Sequence, residues 1–331
     1  MSAEIEHGGA LDKAIARFGG RFQYWLDLST GINPEHFPLP ALAPKIWNRL
    51  PDEGLLRDTL RLARSHYGLN KNAAIVAAPG TQALIQLVPT LLAPSTVAVL
   101  GPTYQEHAAS FAACGWKVAP CATIDDIPDE ATAAVIVNPN NPDGRVVSKA
   151  ALLHLARKLG AQGGFLVVDE AFADAHADVS VAGEAEDAPM IVLKSFGKFF
   201  GLAGVRLGFA IAAMPIVEAL TRLLGPWAVS GPALAIASHA FSDAAMLCDY
   251  RARIDLRRRR LSAVLETCGL KEIGGTALFS LVEHADAAGI YARLCERHIL
   301  VRKFDYAPHW LRIGLPLDDM ALARFEKALK F

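Results

Sequence analysis

Lys194-Ser195-Phe196-Gly197-Lys198-Phe199-Phe200-Gly201-Leu202-Ala203-Gly204-Val205-Arg206 is the stretch on which the reading of this chain turns. It follows Met190–Leu193, an apolar run without alternation, as expected of a strand buried on both faces. Three residues of the stretch divide the work of holding one small molecule. Ser195 and Arg206 can grip a phosphate, the arginine by its bidentate fork. Lys198 can reach an aldehyde carbon and form a Schiff base. Taken alone, Lys198 is equally a surface lysine in a glycine-rich loop.

Reading outward, other polar residues fall at the ends of predicted strands. Asp169 closes the run Phe165–Val168, where an unpartnered carboxylate is costly to bury. A protonated ring nitrogen would be its partner, and neighbouring Glu170 is the competitor for that role. Asn141 follows Ala133–Val137 within Asn138-Pro139-Asn140-Asn141-Pro142. It could donate to a phenolic oxygen or simply turn the chain. Gly80-Thr81-Gln82 follows Ala74–Ala78 and opens a helix, a ready phosphate site if it is more than a turn. Tyr104, after Gly101-Pro102-Thr103, could stack on a planar ring or pack in the core. A lysine, a ring-nitrogen carboxylate and a phosphate grip are the needs of pyridoxal 5'-phosphate (PLP).

From residue 74 to about 211 the apolar runs alternate with helical segments, which predicts a mainly parallel α/β sheet. Ligands of such sheets bind beyond the carboxyl ends of the strands, where Asn141, Asp169 and Lys198 fall. Asp52 is placed to cap a helix from Glu53 to about Tyr67. After Pro226 the pattern predicts one long helical stretch from about Pro232 to Cys268. Strands near 278–282, 299–302 and 311–315 and a last helix from about Asp318 follow, as in a smaller α+β domain. The expected division is an N-terminal arm over 1–35, a large cofactor-binding domain over 36–225 and a small domain over 226–331. The run Arg257–Arg260 reads as a solvated helix face rather than an anion patch.

With 331 residues, 33 Lys+Arg against 34 Asp+Glu and 52% hydrophobic content, the chain has a sizeable core and almost no net charge. That argues against nucleic acid or an anionic membrane as its partner. Its 5 cysteines show no paired spacing, which predicts free thiols in a reducing cytoplasm. Residues 1–9 have no apolar core of a signal peptide, and no apolar run is long enough to span a membrane. No metal site is expected. Arg302 and Arg312, near predicted strand ends, could hold substrate anions or lie on the surface.

Together Gly80-Thr81-Gln82, Tyr104, Asn141-Pro142-x-Gly144, Asp169-Glu170-Ala171-Phe172, Ser195-x-x-Lys198, Arg206 and Arg312 make the chain resemble the fold-type-I PLP enzymes, the aspartate aminotransferase superfamily, over essentially its whole length. Within it the chain is similar to the histidinol-phosphate aminotransferase branch. More narrowly, it is similar to the L-threonine-O-3-phosphate decarboxylases of cobalamin biosynthesis. The narrower likeness rests on His7-Gly8-Gly9, Asp27-Leu28-Ser29-Thr30-Gly31-Ile32-Asn33-Pro34, Asn138 to Arg145 and Lys194 to Phe209.

The resemblance implies a PLP-transferase fold and a homodimer with sites at the subunit interface. It makes Lys198 the Schiff-base lysine and Asp169 the partner of the ring nitrogen. Asn141 bonds the phenolic oxygen, Tyr104 stacks on the ring, and Gly80, Thr81, Gln82, Ser195 and Arg206 take the phosphate. His7, Gly31, Asn141, Arg302 and Arg312 face the substrate, with the His-Gly-Gly arm folded over the site. Two departures stand out: Leu50 and Phe172 occupy positions where many relatives carry tyrosine. The implied reaction is decarboxylation of L-threonine O-3-phosphate. Its alternatives are an aminotransferase acting on a compound such as histidinol phosphate, or a partner subunit of the enzyme that attaches aminopropanol to the corrin ring.

Overall fold

The computed structural model describes residues 7–70 and 73–330. The reading of the extreme N-terminus therefore falls in part, over Met1–Glu6, outside the described residues. The chain forms two compact units, one of residues 37–141 and 146–248, the other of 1–36, 142–145 and 249–331.

The unit of residues 37–141 and 146–248 is built on a seven-stranded sheet. In spatial order its strands are Ala74–Ala78, Gly208–Ala212, Met190–Ser195, Phe165–Asp169, Ala131–Val137, Thr96–Leu100 and Lys117–Cys121. All neighbours pair in parallel except Gly208–Ala212, which runs antiparallel to both of its own. Five of these strands were legible as apolar runs and are buried from end to end. Their Val, Ile, Leu and Ala side chains enter a core with Leu84, Phe111 and Leu220 from the covering helices and Trp116 from a loop. Burial on both faces leaves no room for polar alternation, so such strands read as unbroken apolar runs. Lys117–Cys121 escaped that reading. It is an edge strand with exposed Lys117 and Pro120, and an edge needs neither a second apolar face nor a complete set of donors.

The helix Gly231–Ser242 packs on the helix Glu53–His66. Thr59 Oγ1 donates to Leu234 O at 3.2 Å and lies 2.8 Å from Ser238 Oγ. The single long helix expected over 232–268 is two, Gly231–Ser242 and Ala244–Thr267, broken at Asp243. Asp52 holds the N-cap position of Glu53–His66 but does not cap it. Its carboxylate accepts instead from Arg49 Nη2 at 3.0 Å, so a charged neighbour outcompetes the helix N–H.

The other unit holds a four-stranded antiparallel sheet in the order Arg302–Lys303, Trp310–Gly314, Phe279–Glu283, Lys271–Thr276. A separate parallel pair joins Leu26–Asp27 to Ile299–Leu300. The segment read as an arm is thus tied into this unit, and it contains a helix, Leu11–Phe18. The arginine run is neutralised locally. Arg257 pairs with Glu35 at 2.6 Å, Arg258 with Glu272, and Arg260 with Asp319 at 2.5 Å.

Candidate active site

Asp169 sits at the carboxyl end of its strand, 3% exposed. Its Oδ2 lies 2.8 Å from His107 Nε2, and its Oδ1 accepts from Ala171 N at 3.0 Å. Glu170 turns to the opposite face of the sheet, as consecutive strand residues must. There it meets Lys194 Nζ at 2.7 Å and accepts from Ser180 Oγ and Val181 N. The two adjacent carboxylates therefore have separate tasks, and Asp169 is the one beside the predicted ligand residues.

His107 is the functional residue that sequence reasoning missed. It stands on the helix Glu106–Ala113, 62 positions before Asp169, and is 1% exposed. No local motif marks it. The available signal was the cost of burying Asp169, which demanded a donor from somewhere.

The chain offers two lysines four residues apart, and the structure distinguishes them. Lys194 is buried in ion pairs with Glu170 and Asp174, the latter at 3.5 Å. Burial pulls its ammonium down, but the two carboxylates outweigh this and raise its pKa. A protonated, paired amine is no nucleophile. Lys198 lies on the short helix Phe196–Phe199, with Nζ 5.9 Å from the centre of the Phe172 ring. Phe172 itself is buried and supplies no hydroxyl.

The phosphate residues converge through close backbone approach. Ser195 pairs with Gly208 across antiparallel strands. A Cβ on Gly208 would stand 2.6 Å from Thr81 N and 2.9 Å from Gly80 C. Only glycine lets the Gly80-Thr81 turn press on the sheet here. Gly80 has φ +87, and a Cβ on it would meet Arg206 Nη2 at 2.9 Å. Arg206, in the left-handed region at φ 56, thus lays its guanidinium against the start of the helix Thr81–Leu87. Serine, threonine and arginine donors gathered around Gly80 and Gly208 suit a phosphate.

Tyr104 donates to Gln82 Oε1 at 3.2 Å, and Gln82 Nε2 donates to Glu106 Oε2 at 2.9 Å. The Gln82 side chain therefore holds the tyrosine in place. Burial, then Glu106 and Asp169, push the Tyr104 phenol up to about 12, so it stays protonated. Its ring stands edge-on to His107, with centroids 6.1 Å apart. In the Asn-Pro segment, Asn138 and Asn140 hold the local fold. Asn138 exchanges hydrogen bonds with Val147, and Asn140 links Pro102 O to the Thr103 hydroxyl. Both are buried, whereas Asn141 is half-buried. Lys198, Asp169, the phosphate donors and Tyr104 fit PLP: an amine, a buried carboxylate and an anion grip on one sheet.

His7, Gly31, Arg302 and Arg312 belong to the other unit. Arg302 and Arg312 are directly opposed on antiparallel strands, an arrangement that repels unless an anion intervenes. Burial first, then Arg302, draws the Arg312 pKa down to about 10. Arg312 Nη2 donates to Ser29 O at 2.7 Å. The His7-Gly8-Gly9 segment docks alongside: Gly9 N donates to Ser29 Oγ at 2.7 Å, and a Cβ on Gly8 would come 3.4 Å from Arg312 Nη2. A cavity of about 160 Å³ opens here, with His7, Lys13, Arg17, Ser29, Arg302 and Lys303 in its wall and no acid among the described residues that line it. Gly31 is buried just beyond Ser29 and Thr30.

A sheet with one antiparallel strand, a lysine after one strand and a buried carboxylate ending the next define a class, and comparison with known proteins agrees. Residues 35–329 match the family model for aminotransferase class I and II, and the chain belongs to that family. The chain is 49% identical to a threonine-phosphate decarboxylase of Sinorhizobium sp, covering 99% of this chain and 98% of the relative. It is 40% identical to the threonine-phosphate decarboxylase of Pseudomonas aeruginosa, covering 98% and 97%. Among solved structures, the histidinol-phosphate aminotransferase of Clostridium acetobutylicum superposes with a TM-score of 0.81 at 22% identity, over 92% of this chain and 98% of that one. The last likeness shows the fold.

Proposed function

We propose that this chain is a PLP-dependent lyase that decarboxylates L-threonine O-3-phosphate to (R)-1-aminopropan-2-yl phosphate, a step of cobalamin biosynthesis in the cytoplasm. One observation carries the reading: an intact Lys198, Asp169 and Arg206 cradle in a chain 49% identical, end to end, to a threonine-phosphate decarboxylase.

When bound, PLP supplies an electron sink for the pair left behind when a bond to the substrate's Cα breaks. Lys198 anchors it by its aldehyde carbon, while Ser195, Thr81 and Arg206 hold its phosphate, with Gly80 giving the guanidinium room. Asp169 keeps the proton on the ring nitrogen, and His107 orients that carboxylate. Asn141 donates to the phenolic oxygen, and Tyr104, fixed by Gln82, covers the ring. With PLP and substrate bound, Lys198 Nζ would be the group that returns a proton to Cα.

The arginine pair argues for the bond that breaks. A phosphorylated amino acid brings two anions. With its phosphate on Arg302 and Arg312, beside His7 and Gly31, that arginine pair is taken up and does not pin the carboxylate, which is then free to leave. An aminotransferase needs the reverse, a gripped carboxylate and an exposed Cα–H. Trp47, Leu50 and Trp227, exposed by 67, 63 and 60%, give a homodimer apolar surface to cover. No helix among the described residues is long and apolar enough to cross a membrane.

The test is release of carbon dioxide from L-threonine O-3-phosphate by PLP-loaded protein, with and without a keto acid. Release that needs no keto acid is expected. Keto-acid-dependent transamination of histidinol phosphate with no carbon dioxide would replace this reading by the aminotransferase one. A stable complex with the aminopropanol-attaching enzyme, but no turnover, would leave a partner subunit.

A further inference from the structure

Behind the cradle lies a charged cluster that the proposed chemistry does not use. Lys194 Nζ is 2.7 Å from Glu170 Oε2 and 3.5 Å from Asp174 Oδ1, and donates to Ser180 Oγ at 3.1 Å. Glu170 Oε2 also accepts from Ser180 Oγ, and Oε1 accepts from Val181 N at 2.6 Å. The ammonium lies 5.0 Å from the centre of the Tyr67 ring. Lys194 and Glu170 are 2% and 0% exposed.

The placement is telling. Glu170 is the residue after Asp169, and Lys194 is the residue before Ser195. Asp169 is registered with Leu193 on the neighbouring parallel strand, and Glu170 N donates to Leu193 O at 2.9 Å. The Lys194–Glu170 pair therefore ties together, from the rear face, the ends of the two strands whose front face presents Asp169 and Ser195. A buried ion pair is poor evidence of stabilisation, because desolvation offsets most of its attraction. What it supplies is direction: long polar chains with one satisfied arrangement fix where their backbones lie.

We propose that Lys194 and Glu170 are positioning residues for the cofactor cradle, setting the spacing between the Asp169 carboxylate and the Ser195–Lys198 turn. This inference rests on the PLP reading above. It predicts that the pair acts on cofactor affinity rather than on folding alone.

The experiment titrates apoprotein with PLP, following the visible band and the dissociation constant, alongside thermal unfolding of the apoprotein. The variants are Lys194→Arg, Ser180→Ala and the double variant Lys194→Met with Glu170→Gln. The double variant removes both charges of the pair but takes the ammonium away from the buried Asp174 carboxylate as well, so it should unfold below the wild-type temperature, and its PLP affinity is read well below that transition. Its PLP dissociation constant should rise about tenfold or more, with a shifted band, while Lys194→Arg stays within about threefold of wild type. A double variant with wild-type affinity and spectrum would overturn the proposal. If that variant does not fold, Ser180→Ala decides: it removes the hydroxyl between the two charges and should raise the constant about threefold at unchanged stability. Unchanged affinity there would overturn the proposal too. Wild-type protein that shows no PLP band would instead sink the cofactor reading, and this inference with it.

Discussion

Asp169 illustrates how a residue's neighbours decide its chemistry. Its carboxylate is held by one side chain, His107, and one backbone N–H, that of Ala171. A hydrogen bond to a charged group contributes about 1.5–3 kcal/mol. His107→Phe keeps a ring in the cavity but removes the bond. Its kcat should fall by about 10- to 100-fold while the visible band of the bound cofactor survives; stopped assays on PLP-saturated protein would check this. Arg206 acts on the other end of the cofactor. Arg206→Ala should raise the PLP dissociation constant by about 100-fold, a loss of about 3 kcal/mol, with little change in KM for substrate. A change confined to KM would refute its phosphate role. Lys198→Ala should lose the visible band and any borohydride-reducible adduct, and Lys194 should not replace it, being held by Glu170.

At the scale of elements, one close approach organises the phosphate end. Gly208→Ala would push a methyl group into Thr81 N and Gly80 C, displacing either the strand Gly208–Ala212 or the start of the helix Thr81–Leu87. Overpacking of this kind costs about 1–3 kcal/mol. Calorimetry should show a lowered Tm, and PLP titration a weakened cofactor. The same elements show what could be read in advance. The strands carrying Asp169 and Ser195 were legible because a strand covered on both faces is apolar throughout. The strand Lys271–Thr276 was not, because Lys-Glu-Ile-Gly-Gly-Thr has one polar side and a glycine pair. The helix Leu11–Phe18 was hidden by its setting among turns. Lys198, Asp169 and Arg206 were legible as local patterns at strand ends. His107 and the Lys194–Glu170 pair were not, because their partners are made by the sheet rather than by neighbours in sequence.

For the whole molecule, the arginine pair couples ligand to stability. Arg302 and Arg312 face each other with like charge, which destabilises the unliganded chain by roughly 0.2–1 kcal/mol. An anion that binds there relieves the repulsion. Inorganic phosphate at ten times its dissociation constant would add about 1.4 kcal/mol, visible as a rise in Tm. Arg302→Gln should lose that rise, yet without phosphate unfold no lower than wild type. A phosphate-induced rise that survives the substitution would place the anion elsewhere.

The alternation along the two central strands has a practical consequence for anyone who alters this chain. Asp169 and Glu170 look to opposite sides, as do Lys194 and Ser195, so each cradle residue has a chemically plausible impostor one position away. A single-residue insertion or deletion within Met190–Ser195 would rotate Lys194 to the front and send Ser195 to the rear. An amine would then stand where a phosphate donor belongs, and Glu170 would lose its counter-ion. The choice of reactive lysine is therefore written in strand phase as much as in side-chain chemistry, and a frame slip here would miswire the enzyme rather than merely weaken it.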